Sequence, residues 1–198
     1  MQNHLPNRPN AFTLVEALVA LTITVVAGSA LLLGIESTVQ TTNDAVEQTI
    51  AQGLASQLMD EILGCRYMEY GCSPYDTVMT AGSAELAPGT RELFDDVDDF
   101  NNWSRRPPED PWGVALGKED LDGKARHPGF HIPQRYLDGW QREVRVAYID
   151  VSNPAGVETS GLTTDYRAVE VRVYRNDPRR GRRELAKLRR VIAYVPPL

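Results

Sequence analysis

The chain has 198 residues, 42% hydrophobic and 24% charged, with 13 Pro and 15 Gly. That composition excludes wholesale disorder, a collagen-like repeat and a multi-span membrane protein, and leaves room for one domain with an appendage. A net charge of −6 argues against a general nucleic-acid-binding role. Two cysteines are too few for a disulfide scaffold, and three histidines leave little room for a His-rich metal site.

Residues 17–35 (ALVALTITVVAGSALLLGI) carry no charge. As a helix they span about 28 Å, roughly one bilayer core. Arg8 precedes the run, and Glu36, Asp44 and Glu47 are the first charges after it. Positive residues stay inside, which predicts a cytoplasmic N-terminus and an exported remainder. The run is too long for a cleavable secretory signal and no A-x-A site follows it, so it reads as a membrane anchor.

Glu16 sits just inside this apolar stretch. An ionised carboxylate in lipid is costly unless paired, which makes an intramembrane acid a functional candidate by default. On position alone, a glutamate snorkelling to the interface is an equal reading.

A short polar leader (residues 1–11) followed by Phe12-Thr13-Leu14-Val15-Glu16 and a long apolar helix resembles the class III signal of type IV pilins and type II secretion pseudopilins. The resemblance covers about a sixth of the chain. It implies cleavage between Ala11 and Phe12 by a membrane prepilin peptidase, with N-methylation of Phe12. Ala11 stands where the family usually has Gly. The resemblance also gives Glu16 a role in assembly, in which its carboxylate pairs with the Phe12 amine of a neighbouring subunit and the filament's apolar bundle buries a neutral pair. Such a pair fixes axial register more than it adds stability.

No proline occurs between Pro9 and Pro74, so nothing forces a break in the first helix. Val39, Val46, Ile50, Leu54, Leu58 and Ile62, widened by Ala51, Ala55 and Met59, recur at helical spacing, with Gln48, Gln52, Gln57 and Asp60 on the other face. One helix over 12–63, about 78 Å long, is predicted to end near Gly64. Its second half carries a stripe for a globular head. Were Cys65 and Cys72 both helical, their Cα atoms would stand about 10 Å apart, too far for a bridge. A turn between them closes a small loop worth about 2.5 kcal/mol in an oxidising compartment. Bridge and free thiols both remain open at this point.

The region 65–140 reads as loop-rich. It contains FDDVDDFNNW at 94–103, and the carboxylates of Asp95, Asp96, Asp98 and Asp99 are of the kind a hard cation such as Ca²⁺ takes. The spacing is not that of an EF-hand, and a solvated acidic loop or assembly surface is the other reading. This stretch is similar to the variable region of some minor pilins, those of the mannose-sensitive haemagglutinin pilus. His127 and His131 have zinc-helix spacing, but Pro128 and Gly129 between them predict a turn. No nucleophile-with-base motif, Gly-rich phosphate loop or C-x-x-C occurs, so no enzyme and no cofactor is expected.

The region 141–198 reads as β. Val144, Val146 and Tyr148, then Val169, Val171 and Val173, alternate with polar residues, and 188–195 gives a third run. Residues 153–156 and 176–181 are turn-rich connectors. The fold class is therefore α+β and pilin-like. A long N-terminal helix packs on an antiparallel sheet of three or more strands, divided as leader 1–11, membrane or filament-core half 12–35, amphipathic half 36–64, variable region 65–140 and sheet 141–198.

Charge is split along the chain: residues 36–122 are net −13 and residues 123–198 are net +7. The basic cluster around Arg179, Arg180, Arg182 and Arg183 suits docking on an acidic neighbour or on DNA phosphates, or else is a solvated hairpin. The resemblance implies a single-pass inner-membrane protein with a periplasmic C-terminal domain, partnered by other pilins, prepilin peptidase and the assembly platform. It implies roles such as protein secretion or cell adhesion. The rival reading is a membrane-tethered binding domain that never polymerises.

Overall fold

The computed structural model describes residues 12–117, 132–133, 135–156, 161–178 and 180–196. Its elements in chain order are helix α1 (Leu14–Leu63), a short helix α2 (Ser83–Leu86), a 3₁₀ turn (Asp98–Phe100) and four strands: β1 (Ser104–Arg105), β2 (Trp140–Tyr148), β3 (Tyr166–Asp177) and β4 (Gly181–Ala193). The chain divides into two compact units, 1–46 and 47–198.

The first unit is helical from Leu14 onward. From Leu14 to Val46 its large apolar residues are exposed, Leu31, Leu32 and Leu33 by 67–69% each. Among the described residues, α1 is the one helix long and apolar enough to cross a membrane. Thr22, Thr24 and Ser29 turn their hydroxyls back onto the carbonyls of Val19, Ala20 and Val25, so these hydroxyls bring no unpaired polar group to the helix surface.

The second unit is the head. Its sheet is antiparallel throughout, in the order β1-β2-β3-β4. Val144, Val146, Val169, Val171 and Val173 are buried on one face together with Trp140. They form a single core with Ala51, Leu54, Ala55, Leu58, Met59 and Ile62 of α1. The period-2 and helical patterns thus meet as the sequence predicts. The stripe begins later than expected: Ile50 packs on the core, whereas Val39 and Val46 are 53% and 49% exposed. β2 and β3 begin before their alternating cores, at Trp140 and Tyr166, β3 runs on to Asp177, and β4 spans Gly181–Ala193 rather than the expected 188–195, because polar side chains on the open face do not interrupt pairing. The turn expected at 153–156 is present, with the Gly156 amide donating to Asn153 O at 2.8 Å.

The variable region supplies much of the core rather than lying over it. Phe94, Val97, Phe100 and Trp103 are all under 10% exposed and belong to the same cluster, and Phe94 meets Phe100 edge-on at 5.2 Å. Among the described residues three arginines are buried as well: Arg91, Arg142 and Arg167, each 2% exposed or less. Arg91 donates to both carboxylate oxygens of Glu61, at 2.6 and 3.0 Å, and lies over Trp103. Arg142 donates to the carbonyl of Glu109 and also faces Trp103. Arg167 reaches Tyr67 O, Asp98 Oδ1, Pro74 O and the Tyr148 hydroxyl at 2.7 to 3.1 Å. The irregular segment is therefore held in place by guanidinium forks projecting from itself and from the sheet, which satisfy carbonyls that no ladder reaches.

Candidate processing and assembly site

The site begins where α1 begins. Ala11 lies outside the described residues. Phe12, the residue expected to carry the new amine, is 76% exposed. Thr13 is the N-cap of α1 and Glu16 its third residue, and the two bond reciprocally. Glu16 Oε2 accepts from Thr13 N at 3.0 Å and from Thr13 Oγ1 at 2.9 Å, and the Glu16 amide donates back to Thr13 Oγ1 at 3.3 Å. This is a capping box, written in the sequence as T-x-x-E. It satisfies two orphan donors at the helix start and places a carboxylate at the positive end of the helix dipole. Glu16 thus has a local role in the single chain. Its carboxylate stands one turn from Phe12, within reach of an amine brought up beside it.

The acidic loop does not gather its four carboxylates around one point. Asp98 is taken by Arg167 and Asp95 by Arg66. Asp96 Oδ1 accepts from the amides of Asp98 and Asp99 at 2.7 and 3.2 Å, and Asp99 Oδ2 accepts from those of Asp95 and Asp96 at 2.9 and 3.2 Å. Two smaller groups bring carboxylate oxygens within 4.8 Å of one another: Glu69 with Asp95 and Asp96, and Glu85 with Asp95 and Asp99. Burial pushes the Asp98 carboxyl up to about 6 and the Asp99 carboxyl up to about 7. Asp96, Asp98 and Asp99 are buried in a hydrogen-bonded turn, while Asp95 stays exposed.

Cys65 and Cys72 are free thiols. Cys65 continues the helix's bonding, its Sγ donating to Glu61 O at 3.4 Å, and burial raises its pKa to about 11. Of the two readings left open by the sequence, this structure has the free thiols. His127 and His131 fall outside the described residues, as does Arg179.

The other docking arginines have partners within the chain. Arg182 donates to Glu143 at 2.6 Å and lies 3.7 Å over the Tyr174 ring. Arg183 donates to Glu47 at 2.9 Å. The Arg180 amide donates to Asp177 Oδ1 at 3.0 Å. Part of the charge split in the sequence is therefore internal complementarity, with Glu47 and Asp98 of the acidic region holding Arg175, Arg183 and Arg167 of the basic region. Sequence reasoning missed the buried arginines, whose signal is faint: Arg142 and Arg167 sit on the apolar phase of their strands, where a solvent-facing cation is not expected.

Among known proteins, residues 6–32 match the family model described as the prokaryotic N-terminal methylation motif. The match spans the expected cut, Glu16 and most of the charge-free run. No curated protein and no solved structure matches the chain.

Proposed function

We propose that this chain is the precursor of a minor pilin or pseudopilin, a non-enzymatic subunit of a type IV pilus or type II secretion filament. The observation that carries the reading is the methylation motif at 6–32 running into a helix whose first half exposes apolar side chains and whose second half is the core of an α+β head. Prepilin peptidase cuts between Ala11 and Phe12 and methylates Phe12. The apolar half then serves twice, first as inner-membrane anchor with the head in the periplasm, and afterwards as filament core beside other pilins on the assembly platform. Glu16 accompanies that transfer, exchanging its Thr13 cap for a neighbour's Phe12 amine. The acidic loop's likeness to the minor pilins of the mannose-sensitive haemagglutinin pilus supports a minor rather than a major subunit.

Mass spectrometry of the N-terminus of the membrane-extracted protein tests the reading. A chain starting at methylated Phe12 is the expected result. An intact leader overturns it in favour of a tethered binding domain that does not polymerise.

A further inference from the structure

Strand β4 is the edge of the sheet, with β3 its one neighbour. It runs for 13 residues, about 44 Å when extended, more than twice the length of a common strand. A free edge of that length is a template for pairing with another chain. The described residues place no backbone partner along its outer side. The nearby turn meets it through the Arg189 side chain, whose guanidinium donates to the carbonyls of Ala155 and Gly156.

The strand is also strongly cationic, with Arg182, Arg183, Lys187, Arg189 and Arg190 against the single carboxylate of Glu184. These cations occur on both faces: Arg189 and Lys187 stand opposite Glu170 and Arg172, while Arg190 stands opposite the buried Val169. A second copy of β4 laid along this edge would set Arg and Lys against Arg and Lys, which penalises self-pairing. An extended segment carrying carboxylates would meet cations above and below its plane. Arg182, Arg183 and Lys187 already have carboxylate partners, whereas Arg189 is held by carbonyls and the one bond described for the exposed Arg190 side chain is a 3.5 Å contact with Arg189 O. The surplus positive charge lies toward the C-terminal half of the strand, beside the half-exposed Val191.

We propose that β4 is a docking edge for an extended acidic segment of a partner protein, which adds to the sheet as a fifth strand. Backbone hydrogen bonds supply the affinity, and Arg189 and Arg190 select for carboxylates and so set the register. The proposal is independent of filament assembly, since a tethered domain that never polymerised would have the same edge.

The test uses the full chain in detergent and a synthetic twelve-residue probe alternating Glu with Thr and Val. The probe should bind and slow hydrogen exchange in the amides of β4. It should bind about tenfold less tightly to the Arg189→Glu/Arg190→Glu variant. The same peptide with Lys for Glu should not bind, and N-methylation of alternate probe amides, which leaves its charge intact, should abolish binding. Equal binding of the N-methylated probe overturns strand addition, and equal protection of β4 by duplex DNA overturns the preference for an acidic segment.

Discussion

Arg175 and Arg183 face each other directly across β3 and β4, and both guanidiniums converge on the carboxylate of Glu47. Like charges opposite one another on a sheet are destabilising. Here the register shift beside Val173 and Tyr174 sets them together, and a helical glutamate offsets both. Glu47 is also the first residue of the compact head, so the contact fixes where α1 joins the sheet. Glu47→Gln keeps the shape and removes the charge. Because all three side chains retain some exposure, the expected loss is about 1–3 kcal/mol, below that for a fully buried pair. Chemical denaturation of the head should read it, and the double variant Glu47→Gln/Arg183→Gln should recover part of the loss.

The acidic loop gives the head a pH dependence of unusual sign for carboxylates. Asp99 titrates near 7 in the fold, against about 4 when free, because burial favours its neutral form and Asp96 and Glu85 add like charge. The folded state therefore binds a proton more readily than the unfolded chain. Its contribution to stability is full below about pH 4 and is lost as pH rises through 7. Asp98, raised to about 6 by burial despite the Arg167 guanidinium beside it, acts in the same direction. Thermal unfolding followed at pH 5 and pH 8 should show the higher midpoint at pH 5. Asp99→Asn keeps an acceptor for the Asp95 and Asp96 amides and should flatten the slope. It should be more stable than wild type at pH 8 by about 1–3 kcal/mol.

What could be read in advance follows from what repeats. The helix was legible to within two residues at its start, because a charge-free run and a 3.6-residue stripe are periodic signals and Gly64 ends them. The strand cores at Val144–Val146–Tyr148 and Val169–Val171–Val173 were legible for the same reason. The segment from Arg66 to Leu137 has no period, and its described residues up to 117 are held by pairs far apart in sequence, such as Arg167 with Asp98 and Arg91 with Glu61. The four aspartates left a cation site and a solvated loop both readable in one dimension, because a linear pattern does not show that Asp96 and Asp99 accept from the amides of their own turn. At the N-terminus the reverse held: five residues, Phe12 to Glu16, carried the candidate site almost unaided.

The packing of α1 on the sheet can be tested by charge placement within one helix. Leu58 is fully buried against the valines of β2 and β3, whereas Gln52 is exposed. Leu58→Asp places an unpaired carboxylate in the core and should cost several kcal/mol, enough to unfold the head. Gln52→Asp should change the stability by less than about 0.5 kcal/mol. Near-ultraviolet circular dichroism of residues 47–198, made in an oxidising compartment, checks both. Equal tolerance would mean that this face of α1 is not the one against the sheet.

Glu16 is the residue on which assembly turns in the proposed reading, and its two roles make separable predictions. As the third residue of α1 it caps Thr13, so Glu16→Gln, which keeps the capping oxygen, should leave the helix start intact. Glu16→Val removes the cap, worth about 1 kcal/mol, yet the apolar run still anchors the protein. Both variants lack the charge that would pair with a neighbour's α-ammonium in the filament core. Both should therefore be cleaved before Phe12 and remain in the membrane fraction, while recovery in sheared filaments falls by about tenfold or more, consistent with an amine left unpaired among apolar helices. If Glu16→Gln enters filaments as well as wild type while Glu16→Val does not, capping rather than charge pairing is what the site requires. If both enter normally, the assembly role of Glu16 is wrong whatever the processing experiment shows.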